Sequence, residues 1–142
     1  MSVEENLQKV DAIVEAFNPH DWDRFAGLFA ESAVLYAPDL PEPLKGRDAL
    51  RERFQGLEKA FPDLHIEKLR TIGQGDWVCA EFSSTGTHKG PLPGPGGQTI
   101  PATNKTTRDP VAVVFKFEGG QITEAHEYRD VLGMMTQLGL AP

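Results

Sequence analysis

The sequence predicts an α+β fold in which a curved antiparallel sheet wraps around N-terminal helices and leaves a central pocket. Three observations carry this. Apolar residues recur at helical spacing up to Phe61, alternate at strand spacing from Leu64 onward, and the later runs are separated by Gly-rich turns rather than by helices. Helices segregated before strands give α+β, and helices laid across one face of a strongly curved sheet enclose a pocket between the layers.

Each element has a local cause. Ser2 followed by Glu5 is a capping box, and Leu7, Val10, Val14 and Phe17 then form one helix face that ends near Asn18-Pro19. Asp21 caps a short second helix with Trp22, Phe25, Leu28 and Phe29 on its apolar side, and Ala33 to Tyr36 reads as a strand. After Pro38, Pro41 and Pro43, a third helix starts around Gly46-Arg47-Asp48, turns Leu50, Phe54, Leu57 and Phe61 inward, and stops at Pro62. Leu64–Ile72 and Trp77–His88 form a hairpin about Gly73-Gln74-Gly75-Asp76. Residues 89–110 hold five prolines and four glycines and read as a long loop or edge segment. Val111, Val113, Phe115 and Phe117 alternate into the tight turn Glu118-Gly119-Gly120-Gln121, and the chain returns antiparallel.

That returning strand holds the first candidate site. Side chains alternate between faces along a strand, so Glu124, His126, Tyr128 and Asp130 share one. Two carboxylates, an imidazole and a phenol suit a polar pocket better than a core. The apolar tail with Met134, Met135 and Leu138 is expected to cap one end of it. His88, beside the Pro/Gly segment, is a candidate for the pocket mouth. Tyr36 and Trp22 are candidates for its apolar lining, and Tyr128 for orienting a ligand through its hydroxyl. Residues four apart on a strand are about 13 Å apart by rise, so His126 and Asp130 would meet through substrate, water or a bulge.

Bulk properties exclude several classes. The 142 residues suit one domain, residues 1–142, and the formal charge of -7 without a basic run argues against nucleic acid. Apolar stretches are far shorter than the roughly 20 residues that span a bilayer, and the acidic start differs from a signal peptide. A cytoplasmic protein without membrane attachment is the expectation. Cys79, the single cysteine, lies in an apolar run and reads as a buried, inert thiol. No His/Cys/Asp spacing resembles a metal site, no Gly-x-Ser-x-Gly elbow marks a hydrolase, and Gly94-Pro95-Gly96-Gly97 lacks the Lys and Ser/Thr of a phosphate loop. An epoxide-hydrolase set of Asp, Arg and Asp has its residue types in Arg108, Asp109 and Asp130, but the adjacent Arg108 and Asp109 point to opposite faces of a strand.

Gly86-Thr87-His88-Lys89-Gly90 after a strand, Glu118-Gly119-Gly120-Gln121-Ile122 at a hairpin, and Asp130 followed by Leu132-Gly133 and Gln137-Leu138-Gly139 resemble the SnoaL-like polyketide cyclases over nearly the whole chain. His126 stands where many relatives carry a bulky aromatic such as Trp. The resemblance implies the cone-shaped roll shared with nuclear transport factor 2 and ketosteroid isomerase, also called cystatin-like, and pairing into homodimers. It also implies a cofactor-free aldol ring closure on a hydrophobic carbonyl substrate, with Asp130 as the acid/base. Such chemistry needs a base for a C–H flanked by carbonyls, donors for the enolate, and an acid for the new alkoxide. By the same expectation no metal is needed. From its strand position alone, His126 reads either as a donor to Asp130 or a substrate carbonyl or as a half-buried histidine bonded to backbone. Asp130 is also well placed to cap the helix beginning at Val131. The alternatives are a non-catalytic container for a lipid-like or aromatic metabolite, or an isomerase, dehydratase or epoxide hydrolase relative.

Overall fold

Residues 2–94 and 96–140 are described by a computed structural model of the chain. Helix α1 (Val3–Phe17) starts from Ser2, whose side chain accepts the Glu5 N–H, and α2 (Trp22–Gly27) starts from Asp21 in the same way with Arg24. β1 (Phe29–Tyr36) begins four residues earlier than the periodicity predicts. α2 stops at Gly27, and Phe29 buries in the sheet instead of on a helix face. β2 (Leu44–Lys45) and α3 (Arg47–Ala60) follow, then β3 (His65–Gln74) and β4 (Trp77–Thr87), paired from Gln74–Trp77 outward as a hairpin. Cys79 is exposed instead of buried, because alternation along β4 turns Val78, Ala80 and Phe82 inward and Cys79 to the other face.

The 89–110 segment is more ordered than a loop. Leu92–Pro93 and Thr99–Ile100 (β5 and β6) make a small hairpin whose Leu92 and Ile100 are buried. The Lys89 and Gly90 amides donate to the Ala60 carbonyl, fastening the hairpin to the end of α3; a Cβ on Gly90 would lie 2.0 Å from the Lys59 carbonyl oxygen. β7 (Thr106–Glu118) starts before the last proline of the segment. Pro110 pairs with Ser83 of β4, but β8 (Gln121–Arg129) has its last partner at Val111. Pro110 thus sits past the end of β8, on an open edge where a missing N–H costs no ladder bond. Gly119 and Gly120 both have positive φ, as the two-residue hairpin turn between β7 and β8 requires.

The curved six-stranded sheet runs β2-β1-β8-β7-β4-β3. It is antiparallel except where β1 and β8 run parallel through Val34–Glu124, Leu35–Ala125 and Tyr36–His126. The long crossover between them runs through α3, the β3–β4 hairpin and β7, and α3 packs with α1 and α2 on the concave face. There Phe54 of α3 meets the rings of Phe17, Trp22 and Phe25 at 5.9, 5.8 and 4.8 Å. Each such buried side chain contributes about 1.5–3 kcal/mol, and this aromatic cluster holds the helices off the sheet at a fixed distance. α4 (Val131–Gln137) closes the end of the roll against β7, anchored by the buried Leu138. No helix among the described residues is long and apolar enough to cross a membrane.

Candidate active site

Between the helices and the concave sheet face lies a cavity of about 120 Å³, the size of a single aromatic ring. Phe17, Phe25, Leu50 and Phe54 wall its helical side, and Phe82, Val113, Phe115 and Ala125 its sheet side. Its far end is polar, formed by Ser84 of β4, Thr107 and Asp109 of β7, and Glu127 and Arg129 of β8. Leu57, Leu92, Arg129 and Met134 also line an outer groove of about 410 Å³ between α3, the β5–β6 hairpin and α4. These four shared residues form the wall between the cavity and the groove.

Asp109 is 8% exposed. Alternation on β7 turns it into the cavity while Arg108 points out, as the sequence predicts for adjacent strand residues. Burial raises its carboxyl above the ordinary range, because desolvation disfavours the charged form. The Gln137 amide, the Arg129 guanidinium and the Thr107 hydroxyl pull the other way, nearby Asp130 adds to the rise, and the net shift is upward. A carboxyl with increased basicity in an apolar cavity beside a cation is the pattern of a general base with an oxyanion partner.

Arg129 is held by a closed set of ion pairs. Arg53 of α3 makes two bonds to Asp39, at 2.9 and 3.0 Å, and one to Glu127 at 3.2 Å. Arg129 donates to Asp39 at 3.2 Å, and its Nε lies 3.6 Å from Glu127. The four groups alternate in sign, so each charge faces two opposite ones. Burial acts to raise Asp39, but Arg53 and Arg129 outweigh it and hold that carboxyl below the usual range. The Nε atoms of Arg53 and Arg129 are buried without a hydrogen-bond partner. The Arg129 Nε faces Glu127 beyond hydrogen-bond distance, and the guanidinium as a whole lines the cavity.

The residues singled out by the sequence lie elsewhere. Glu124, His126 and Tyr128 do share a face, but it is the outer one, because a bulge at Lys116/Phe117 brings both Ile122 and Ala125 inward. His126 stacks on Tyr36 at 4.5 Å with ring planes 2° apart and bonds to Glu124 at 3.4 Å. Tyr36 and Tyr128 are 41% and 60% exposed on that outer face. Asp130 leaves the strand and caps α4, accepting the Gly133 N–H at 2.7 Å. Trp22 is packed in the aromatic cluster with its indole N–H on Glu58 at 2.7 Å. His88 is fully buried behind Phe61 instead of standing at a mouth, with Nδ1 3.0 Å from the Thr103 hydroxyl and accepting the Thr103 N–H. None of the seven lines the cavity.

Sequence reasoning passes over Glu127, Arg129, Arg53, Asp39 and Gln137, and it treats Asp109 only as part of an epoxide-hydrolase set. One signal was available. Ala125, Glu127 and Arg129 form the complementary row of β8, and the buried Ala125 belongs to it, although Ile122 gives the opposite row an apolar member too, so that the bulge decides between them.

A profile of the SnoaL-like polyketide cyclases matches residues 8–138. The aklanonic acid methyl ester cyclases of Streptomyces peucetius and of Streptomyces sp. strain C5 are each 27% identical over 139 residues, covering 94% of this chain and 90% and 81% of theirs. Among solved structures, a SnoaL-like protein from Jannaschia sp. CCS1 superposes with a TM-score of 0.85 at 19% identity, over 98% of this chain and 94% of that one. AclR from Streptomyces galilaeus gives 0.84 at 22%, over 99% and 100%. These two likenesses are of the fold, and the profile match, which takes in the whole cavity and the helix that closes it, places the chain in the SnoaL-like polyketide cyclase family.

Proposed function

We propose that this protein is a cofactor-independent acid/base enzyme that closes a ring, or performs a related proton transfer, on a hydrophobic carbonyl substrate. Asp109 is the base and Arg129 the oxyanion donor. The observation that carries this reading is Asp109 itself, a nearly buried carboxyl of raised basicity on the wall of a ring-sized apolar cavity. Asp109 takes the proton of a carbon flanked by carbonyls, and the enolate oxygen is held by Arg129. The enolate carbon then attacks a second carbonyl carbon of the same substrate, forming the C–C bond. The resulting alkoxide recovers the proton from the Asp109 carboxyl, so the enzyme ends as it began. Ring closure is supported by the two relatives that are methyl ester cyclases.

Pairing of two copies through the outer sheet face belongs to the same proposal. Tyr36, Trp77 and Tyr128, each at least 40% exposed, supply the aromatic surface that a second copy would cover.

The test follows deuterium exchange at the acidic C–H of β-keto esters and 1,3-diketones by NMR. Exchange accelerated by wild type and lost in Asp109→Asn supports the reading. Binding of the panel without any exchange would make the cone a ligand-binding module instead.

A further inference from the structure

We infer that Gln137 is a positioning residue for Asp109, its side-chain amide replacing the strand that β7 lacks at Arg108 and fixing the carboxylate in the cavity. The inference rests on the reading of Asp109 as the base. β8 stops pairing at Val111, so the edge of β7 from Pro110 back to Thr106 has no strand on that side. Backbone N–H and C=O groups on such an edge need other partners. Gln137 supplies them. Its Oε1 accepts the Arg108 N–H at 2.7 Å, and its Nε2 donates to the Arg108 carbonyl at 3.2 Å, a side-chain copy of an antiparallel bridge. The same Nε2 donates to Asp109 Oδ1 at 2.8 Å.

Three bonds from one amide leave its side chain a single rotamer. An exposed glutamine would gain rotamer entropy by swinging free, so the arrangement persists because the bonds act together. Gln137 is placed for this by its two neighbouring anchors. Asp130 caps the start of α4 and Leu138, 1% exposed, pins its end in the core. Held by Gln137 at Oδ1 and by the Thr107 hydroxyl, the Asp109 carboxyl is fixed on the cavity wall, the preorganisation that proton abstraction needs. The charged groups that bear on Asp109 are Arg129 from β8, which favours the carboxylate, and Asp130 at the head of α4, which opposes it. Gln137 is the stronger of two neutral donors, the other being the Thr107 hydroxyl, and both also favour the carboxylate.

The experiment replaces Gln137 by Met, of similar length but without the amide, and by Glu, which retains an acceptor for the Arg108 N–H and loses the donor. A hydrogen bond to a charged group contributes about 1.5–3 kcal/mol, so kcat/KM for exchange at fixed neutral pH falls at least about tenfold in both variants. The acid limb of the pH profile also moves to higher pH. A residue that merely braced α4 would lower the melting temperature and leave that limb in place. The Asp109 carboxyl is followed separately by ¹³C NMR titration, which needs no substrate, and its midpoint rises in Gln137→Met. An unmoved midpoint overturns the inference. Wild-type exchange in Asp109→Asn would instead remove the reading beneath it. A dead Asp109→Asn beside a Gln137→Met enzyme of normal rate and pH profile would overturn the role of Gln137 alone.

Discussion

Replacing Arg53 by methionine removes the cation at the centre of the charge cluster and keeps most of its aliphatic volume. The side chains of Arg53 and Glu127 are 8% and 10% exposed, and Asp39 is 30% exposed. After the change Glu127 keeps only the Nε of Arg129, at 3.6 Å, and Asp39 keeps its single bond from Arg129. Breaking a buried pair from one side costs about 3–5 kcal/mol, because the abandoned charge stays desolvated. Asp39 can rehydrate and Glu127 can do so less, which favours the lower end, about 3 kcal/mol. That is a large part of the 5–15 kcal/mol that stabilises a typical domain and corresponds to roughly 10 °C in melting temperature. Urea unfolding at pH 7, followed by circular dichroism, measures it. Adding Glu127→Gln to Arg53→Met removes the stranded charge and should recover at least about 1 kcal/mol in a double-mutant cycle. A loss below about 1 kcal/mol, with no coupling to Glu127, is the behaviour of an exposed ion pair and would refute the description of this cluster as buried and mutually dependent.

Three further outcomes are expected. Asp130→Asn should leave stability nearly unchanged, since asparagine caps helices as well as aspartate, whereas Asp130→Ala should cost about 1 kcal/mol; thermal melts of the two distinguish a cap from a charge. Asp109→Asn should be more stable than wild type near neutral pH. A carboxyl whose proton affinity is raised by folding contributes stability in acid that is lost as pH rises through its folded value, so the gain should disappear at low pH in melts taken across the range, and a gain at low pH only would reverse the assignment. Tyr128→Arg on the outer face should shift sedimentation from dimer to monomer without altering the circular dichroism, and an unchanged mass would place any pairing elsewhere.

The elements were legible because their signals are local. The Ser2 and Asp21 caps, the stop at Pro62, the paired glycines at 119 and 120 and the alternation through Phe117 each act within a few residues. Long-range choices were not. Alternation says that Glu124, His126 and Tyr128 share a face but not which layer covers it, and a polar row on the solvent face is what an open sheet ordinarily carries. The row that does face the cavity carries charges because Arg53 and Asp39, some 75 to 90 residues away, neutralise Glu127 and Arg129. No spacing rule links those positions. Asp109 was hidden for a different reason. Its strand begins inside a proline-rich stretch, and only the premature end of β8 makes Pro110 tolerable there. The parallel pairing of β1 with β8 likewise depends on a crossover that periodicity does not describe.

The most direct test compares deuterium exchange of a β-keto ester by wild type, Asp109→Asn and Asp130→Asn across a range of pH. A loss of about a hundredfold or more is expected in Asp109→Asn, the scale of removing a general base, and a rate close to wild type in Asp130→Asn. Loss confined to Asp130→Asn, with Asp109→Asn active, would contradict this expectation and return the catalytic proton to the head of α4.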